Sequence, residues 1–209
     1  MRNKFYFFGL AFLSLSIAFT ACNDDDITPE KDDAVTVSLS TQNNVKTDVW
    51  VYFSFDTNSE VSGIDSSNYK TSDTWDIAFH SRHTRLNGGT SGSGSAAAYD
   101  AGVVDFKTVT KANTSGYIAD TFADSILYAG MGEFGPILVG TNLNRVFENA
   151  FDYDENTHPP TYSASMHVYV IKTRTGKYAK IILTDYYNDK GDSGYITFKY
   201  QLADNSGGF

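Results

Sequence analysis

The sequence has almost no cysteine, and its single thiol lies near the N-terminus. Cys22 is the only cysteine among 209 residues, which excludes an internal disulfide. Basic residues are also scarce, because 16 Lys and Arg side chains face 25 Asp and Glu, for a formal net charge of −9. Nucleic-acid binding needs clustered cations that neutralise phosphates. The acidic balance therefore argues against a nucleic-acid partner.

The motifs of common enzyme classes are missing as well. The sequence contains no HExxH, Gly-x-Ser-x-Gly or CxxC pattern. The Gly- and Ser-rich stretch 87–98 lacks the Lys-Ser/Thr ending of a phosphate-binding loop, and it predicts a polar loop that does not pack. Asp185, Asp189 and Asp192 have a calcium-like spacing without the required Gly and distal Glu, so turns are the better interpretation. We expect no enzyme activity.

A long, largely apolar run occurs at the N-terminus, where residues 5–21 carry no charge. Arg2 and Lys4 precede this run, and the small residues Thr20 and Ala21 lie directly before Cys22. The run is short for a membrane span of about 20 residues. Residues 1–21 are therefore predicted to be a lipoprotein signal peptide, with lipidation of Cys22 after cleavage.

Residues 22–34 are polar and charged, and they predict a flexible acidic tether. Asn23 and the three Asp residues that follow it resemble the surface-export signal of Bacteroidetes lipoproteins. The expected location is the outer membrane, lipid-anchored and exposed at the cell surface. A merely solvated tether is the alternative interpretation of the same residues.

Residues 35–209 are predicted to form one mostly β, antiparallel domain with few short helices. Val35, Val37 and Leu39 alternate with polar residues, as in a strand. Residues 48–56 have apolar side chains on both faces, which favours a central strand. Further strands are predicted at 74–80, with Trp75, Ile77 and Phe79 on one face, and at 102–109.

The C-terminal part has the clearest pattern. Strands at 167–173, 178–187 and 194–202 predict a three-stranded antiparallel meander. Residues 121–130 are ambiguous and could begin a short helix. Residues 130–165 contain many Gly and Pro residues and predict a long irregular stretch, of the kind that often carries function.

Five segments together resemble the HmuY family, the surface lipoproteins of Bacteroidetes best known for capturing heme. The segments are SDTWDIAFH (72–80), GGTSGSG (88–94), TGKYAKI (175–181), DYYND (185–189) and GYITFKYQ (194–201). The resemblance covers about residues 35–203. It implies a mostly β fold, heme in a loop-built pocket, and transfer of the heme to an outer-membrane TonB-dependent receptor. None of the five segments is itself a heme ligand.

Heme iron in capture and electron-transfer sites is usually held by His or Met. Met131 lies between Gly130 and Gly132, where the backbone could approach a flat ligand closely. His158 precedes two prolines that stiffen its loop. The resemblance implies that two axial ligands come from two loops a few tens of residues apart, and Met131 and His158 fit that arrangement. A gap-filling core methionine and a surface histidine are the alternatives.

Met166 and His167 are the second-choice ligands. They are adjacent in a predicted strand, so they point to opposite faces and at most one could face a given pocket. Met166 shares a face with Val168 and Val170, which favours a core role. His80 and His83 are weaker candidates. A different class of function also stays open: a surface interaction or adhesion module with the same fold that does not bind heme.

Overall fold

The computed structural model describes residues 33–41 and 49–209. Cys22, the signal peptide and most of the tether lie outside these residues. The described part contains thirteen strands and two short 3-10 helices, Phe106–Thr108 and Arg145–Asn149. The strands are β1 (Val35–Ser40), β2 (Val51–Ser54), β3 (Ser59–Val61), β4 (Ile77–His80), β5 (His83–Leu86), β6 (Ala97–Asp100), β7 (Thr121–Gly132), β8 (Gly135–Leu143), β9 (Phe151–Asp154), β10 (Thr161–Ala164), β11 (Val168–Lys172), β12 (Tyr178–Tyr187) and β13 (Ser193–Leu202). In this described part, no helix is long and apolar enough to cross a membrane.

The larger sheet has five antiparallel strands in the order β1-β13-β12-β11-β6. Its centre is the predicted meander, which is confirmed, as is the predicted strand β1. Ile196, Phe198 and Tyr200 alternate along β13 with partly exposed residues, and all three are buried. β13 could be predicted from this alternation, whereas β11 and the first half of β12 are buried on both faces and have continuous apolar runs.

The smaller sheet has the order β3-β2-β4-β5 and separates two apolar cores. Phe53 of β2 packs edge-on against Phe198 of the larger sheet, with ring centroids 5.5 Å apart. Its neighbour Tyr52 points the other way and packs on Trp75 at 5.0 Å. The prediction that β2 is apolar on both faces and lies inside a sheet is confirmed.

Trp75 corrects one prediction. It was expected on the same face as Ile77 and Phe79, but β4 begins only at Ile77. Trp75 instead belongs to the smaller core, and its indole N–H donates to the Tyr69 carbonyl at 3.0 Å. The alternation of apolar and polar residues continues across residues 74–76, although these residues do not form a strand. The smaller core consists of Trp50, Tyr52, Tyr69, Trp75, Ala78, Ala123, Leu127 and Leu143.

Two further antiparallel pairs are separate from both sheets. We name β7 with β8 the first hairpin and β9 with β10 the second hairpin. The helix considered for 121–130 is therefore wrong, and the stretch 130–165 is mostly strand and 3-10 helix rather than irregular. Register shifts between Ala123 and Leu127 and between Tyr128 and Gly130 interrupt the alternation that identifies a strand.

The strand predicted at 102–109 is also wrong. Val103 is 66% exposed, and the segment turns into the 3-10 helix Phe106–Thr108. Asp105 caps this helix by accepting a hydrogen bond from the Lys107 backbone N–H at 2.9 Å. The strand that pairs with the outer side of β11 is β6, whose Ala-rich sequence has little strand propensity.

The Gly-rich loop packs tightly, contrary to expectation. A side chain at Gly88 would overlap the carbonyl of Ala96, and one at Gly92 would overlap the side chain of Asn87. Asn87 is buried, and its amide donates to the Trp75 carbonyl at 2.9 Å. The loop therefore belongs to the packed scaffold, and Gly88 and Gly92 are required because a larger side chain would overlap neighbouring atoms.

Candidate ligand-binding groove

A cavity of ≈ 350 Å³ opens between the first hairpin, the second hairpin and the β4–β5 turn. The β4–β5 turn forms its floor, β7 forms one wall, and β10 with the end of β12 forms the other. We name this cavity the groove. It is lined by His80, Ser81, Arg82, His83, Ile126, Leu127, Tyr128, Tyr162 and Tyr186.

The floor is a tight turn whose flanking residues are buried. His80 and His83 pair across β4 and β5, and Ser81 and Arg82 form the two-residue connection. Ser81 has a φ of 51°, as tight hairpin turns require. Its Oγ lies 2.6 Å from the Tyr186 hydroxyl, which ties the turn to β12.

Glu148, at the end of the 3-10 helix Arg145–Asn149, supports the floor from outside. Its Oε1 lies 3.0 Å from His83 Nδ1, and its Oε2 lies 3.5 Å from the Arg82 guanidinium. Burial raises the pKa of Glu148, but the hydrogen bond to His83 and the charges of His83, Arg82 and Arg145 outweigh burial and lower the pKa overall. Glu148 is therefore ionised near neutral pH.

The wall on the second hairpin is aromatic. The rings of Tyr153 and Tyr162 lie 5.0 Å apart, and those of Tyr162 and Tyr186 lie 4.9 Å apart. The Tyr187 hydroxyl accepts a hydrogen bond from the Tyr162 backbone N–H at 2.9 Å. Burial raises the pKa of Tyr186, so its hydroxyl stays neutral. These rings are inclined to one another by 40° and 62°, and they form an aromatic cluster beside the groove.

The wall on the first hairpin has two different faces. Both Leu127 and Tyr128 line the groove, but Leu127 is buried in the smaller core, whereas Tyr128 is partly exposed. Tyr128 pairs with Leu138, and Met131 pairs with Pro136. Directly paired residues of antiparallel strands point to one face, and Leu138 and Pro136, two residues apart on β8, share a face. Met131 therefore lies on the same face as Tyr128.

The root of the first hairpin is fixed by a buried arginine. The Arg85 guanidinium lies 3.9 Å from the ring centroid of Trp50 and 4.2 Å from that of Tyr69. It donates to the Asn142 carbonyl at 3.0 Å and to the Thr141 hydroxyl at 2.9 Å. Cation–π contacts and charge-assisted hydrogen bonds thus hold β8 against the smaller core.

The two first-choice ligands lie on different hairpins that flank the groove. Met131 is near the tip of the first hairpin and 71% exposed, so it is not a core methionine. His158 is exposed in the loop between β9 and β10. Its Nδ1 lies 3.2 Å from the Asn156 carbonyl oxygen, which can only accept. Nδ1 of the neutral ring therefore carries the hydrogen, and Nε2 keeps a lone pair for a metal.

Like Met131 and His158, the second-choice ligands are not among the residues that line the groove. Met166 is 44% exposed with a φ of 61°, so its expected core role is wrong, because β11 starts only at Val168. His167 Nδ1 lies 2.9 Å from the Asp100 carboxylate, and its ring stacks on Tyr169. These contacts hold His167 beside β6 and β11, on elements that do not contribute to the groove.

Sequence reasoning missed most of the groove lining. Ser81, Arg82, Tyr162 and Tyr186 come from separate segments that only the tertiary structure brings together. His80 and His83 were considered only as weak ligands, although both lie on the floor. Within residues 33–41 and 49–209, no group of three or more His, Cys, Asp or Glu side chains could hold a metal ion.

The fold and the groove define a class: an all-β scaffold that presents two exposed hairpins around an aromatic cavity. The model of the HmuY family, described as HmuY protein, matches residues 46–200, which is more than half of the chain. The chain therefore belongs to the HmuY family. This is a family of heme-binding proteins and not of enzymes, which accords with the expectation that the chain is not an enzyme. None of the curated proteins compared with it matches the chain.

Solved structures have the same fold. A protein from Bacteroides vulgatus named HmuY-like and heme-binding has a TM-score of 0.62 at 24% identity, covering 80% of this chain and 91% of its own. The apo HmuY analog of Tannerella forsythia has a TM-score of 0.62 at 20% identity, covering 82% and 97%. A Bacteroides fragilis protein named as a lipoprotein has a TM-score of 0.61 at 22% identity, covering 81% and 89%. At these identities the likeness concerns the fold.

Proposed function

We propose that this protein is a cell-surface lipoprotein that captures heme in the groove and delivers it to an outer-membrane TonB-dependent receptor. The observation that carries the proposal is the groove itself. It combines aromatic walls with His and Met side chains on the hairpins at either side. Membership of the HmuY family supports the same ligand.

The groove suits a flat, largely apolar ligand. Tyr162 and Tyr186, in edge-to-face contact with one another, line one side, and Tyr128 lines the opposite side. Porphyrin faces are apolar, and their burial against aromatic side chains is favourable at about 25 cal/mol per Å² of buried apolar surface. Heme would supply an iron ion, and His and Met side chains of the protein would supply its donor atoms.

Met131 and His158 are the proposed axial ligands. Met131 lies on the same face as Tyr128, which lines the groove, and its thioether is accessible. His158 presents Nε2 because its Nδ1 hydrogen is held by the Asn156 carbonyl. A fixed ring tautomer is the usual arrangement of a metal-binding histidine.

A titration of the purified domain with ferric and with ferrous heme tests the proposal. We expect a Soret band shift in the wild-type protein and its loss or displacement in the Met131→Ala/His158→Ala double variant. The matched control is Met166→Ala/His167→Ala, which removes the same two residue types outside the groove and should leave the shift unchanged. If the two double variants behave alike, the ligand assignment is wrong. If the wild type shows no shift in either oxidation state, the protein does not bind heme.

One observation favours the second candidate function, a surface interaction or adhesion module without heme. Phe134 at the tip of the first hairpin is 97% exposed, and Ile137 and Leu138 beside it are about half exposed. Exposed apolar clusters of this kind often mark contacts with macromolecules. A pull-down that recovers a specific protein or glycan, together with a flat heme titration, would favour this function.

The surface location depends on Cys22 and the tether. In a native host, labelled palmitate should be incorporated into the wild type but not into a Cys22→Ala variant. Protease added to intact cells should release the domain if it faces outward. A protected domain would place it inside the outer membrane instead.

A further inference from the structure

The floor of the groove carries a cation whose hydrogen-bonding capacity is largely unused by the contacts seen around it. Arg82 lines the cavity, and its side chain is 32% exposed. Its guanidinium contacts Glu148 at 3.5 Å, well beyond the 2.7–2.9 Å of a strong charge-assisted hydrogen bond. A guanidinium has five N–H donors. Arg82 is thus positioned to donate to a further acceptor in the groove.

Glu148 does not fully neutralise this cation. Its other oxygen is engaged by His83 at 3.0 Å, and Arg145 also acts on its charge. The Glu148 carboxylate is therefore held more closely by His83 than by Arg82, which leaves the Arg82 guanidinium only weakly paired at the floor of the groove.

The surroundings of Arg82 suit an anion that arrives with an aromatic ring. Ser81 and Tyr186 place two hydroxyls beside the guanidinium, 2.6 Å from one another. The planar guanidinium matches the two oxygens of a carboxylate. Above the floor, the walls are the rings of Tyr128 and Tyr162.

We infer that the Arg82 guanidinium is a carboxylate-binding subsite, so the groove selects planar aromatic ligands that carry a carboxylate at one edge. The inference rests on the proposed heme binding and adds an orientation to it. The carboxylate edge of the porphyrin enters toward the floor, and the iron stays near the hairpin tips. Tyr128 and Met131 pair with Leu138 and Pro136, which are two residues apart on β8, so they lie about 7 Å apart along the first hairpin.

The experiment compares iron protoporphyrin IX with its dimethyl ester, which keeps the ring and the iron but has no carboxylates. Binding is followed by the Soret band and by quenching of intrinsic fluorescence. The wild type should bind the free acid about tenfold more tightly than the diester, the effect of one charge-assisted hydrogen bond. Arg82→Gln should bind both ligands with equal affinity, and Arg82→Lys should keep part of the preference.

Arg145→Gln is the matched control, because Arg145 acts on Glu148 but does not line the groove. It should keep the full preference for the free acid. Equal binding of acid and diester by the wild type, or an unchanged preference in Arg82→Gln, would overturn the subsite while heme binding stood. If neither ligand shifts the Soret band of the wild type, the proposed function fails and the subsite fails with it. Circular dichroism of each variant confirms that the fold is retained.

Discussion

The meander and the first hairpin use strands of similar length for opposite purposes. In β13, Ile196, Phe198 and Tyr200 are buried in the larger core. In β8, the successive residues Ile137, Leu138 and Val139 are at least 40% exposed. Burial of apolar surface drives folding in the first case. In the second case apolar surface is left exposed, and exposed apolar surface of this kind often marks a contact site.

The largest expected difference between the two regions is in the cost of removing a ring. Phe198→Ala should lower the free energy of unfolding by about 3–5 kcal/mol, because the ring is fully buried between Phe53 and Phe79. Phe134→Ala, on the hairpin tip, should change it by less than about 0.5 kcal/mol. Urea denaturation measures both. Comparable losses would mean that the tip is packed in solution and that the comparison is wrong.

A smaller difference is expected between two glycines. Gly88→Ala should cost about 2–3 kcal/mol, because the new Cβ would overlap the Ala96 backbone, which cannot move away cheaply. Gly132→Ala places its Cβ 3.2 Å from a side-chain carbon of Ile137, which can rotate. Its thermal midpoint should stay close to that of the wild type. A tolerated Gly88→Ala would show that the Gly-rich loop is not part of the rigid scaffold.

The stability conferred by the root of the first hairpin should depend on pH. Asp120 lies at the root of β7, where its carboxylate accepts hydrogen bonds from the Leu86 backbone and from the Asn144 side chain, both at 2.9 Å. Burial raises its pKa to about 7, although these hydrogen bonds and the charge of Arg85 act in the opposite direction. The folded state therefore binds the proton more tightly than the unfolded state does.

The stabilisation from that proton is complete below the unfolded pKa and is lost as pH rises through about 7. Between pH 5.5 and 8, the free energy of unfolding should fall by an amount on the order of 1–2 kcal/mol. Asp120→Asn removes the titration, so its profile minus that of the wild type isolates the effect. Parallel profiles for the two proteins would mean that Asp120 stays ionised throughout this range.

The smallest expected effect lies within the second hairpin. Tyr153→Ala should cost about 0.5–1 kcal/mol, the value of one aromatic pair, since its ring contacts Tyr162 but is more than half exposed. Tyr153→Phe keeps the ring and should be neutral. Hydrogen exchange of the β9–β10 amides measures both variants locally. An equal loss in Tyr153→Phe would assign the effect to the hydroxyl rather than to the ring.

The same contrast explains what the sequence could predict. β1 and β13 were predicted because one face of each strand meets a core, which imposes alternation, and β11 and β12 were predicted from their runs of buried apolar residues. The first hairpin was missed because no core constrains its distal faces, and its bulges break the period. Val103 and Val104 misled in the opposite direction, since apolar residues occur on the surface as well.

The candidate site was predicted in part. Met131 and His158 were chosen from their types and their Gly or Pro neighbours, and they stay predictions. The floor could not be predicted, because Arg82 reads as an ordinary turn residue until β7 and β10 are placed on either side of it. Local signals identify donors, whereas the shape that receives a ligand depends on contacts between distant segments.

The contacts of Arg85 with β8, Trp50 and Tyr69 have an evolutionary consequence. They secure the first hairpin at Thr141 and Asn142, below the groove, and leave residues 128–138 outside both cores. Substitutions at residues 128–138 are thus free of the packing demands that restrict residues of the two cores. Residues 128–138 can accordingly diverge in sequence, so that related chains could acquire new ligands by exchanging about a dozen residues while the rest of the fold stays the same.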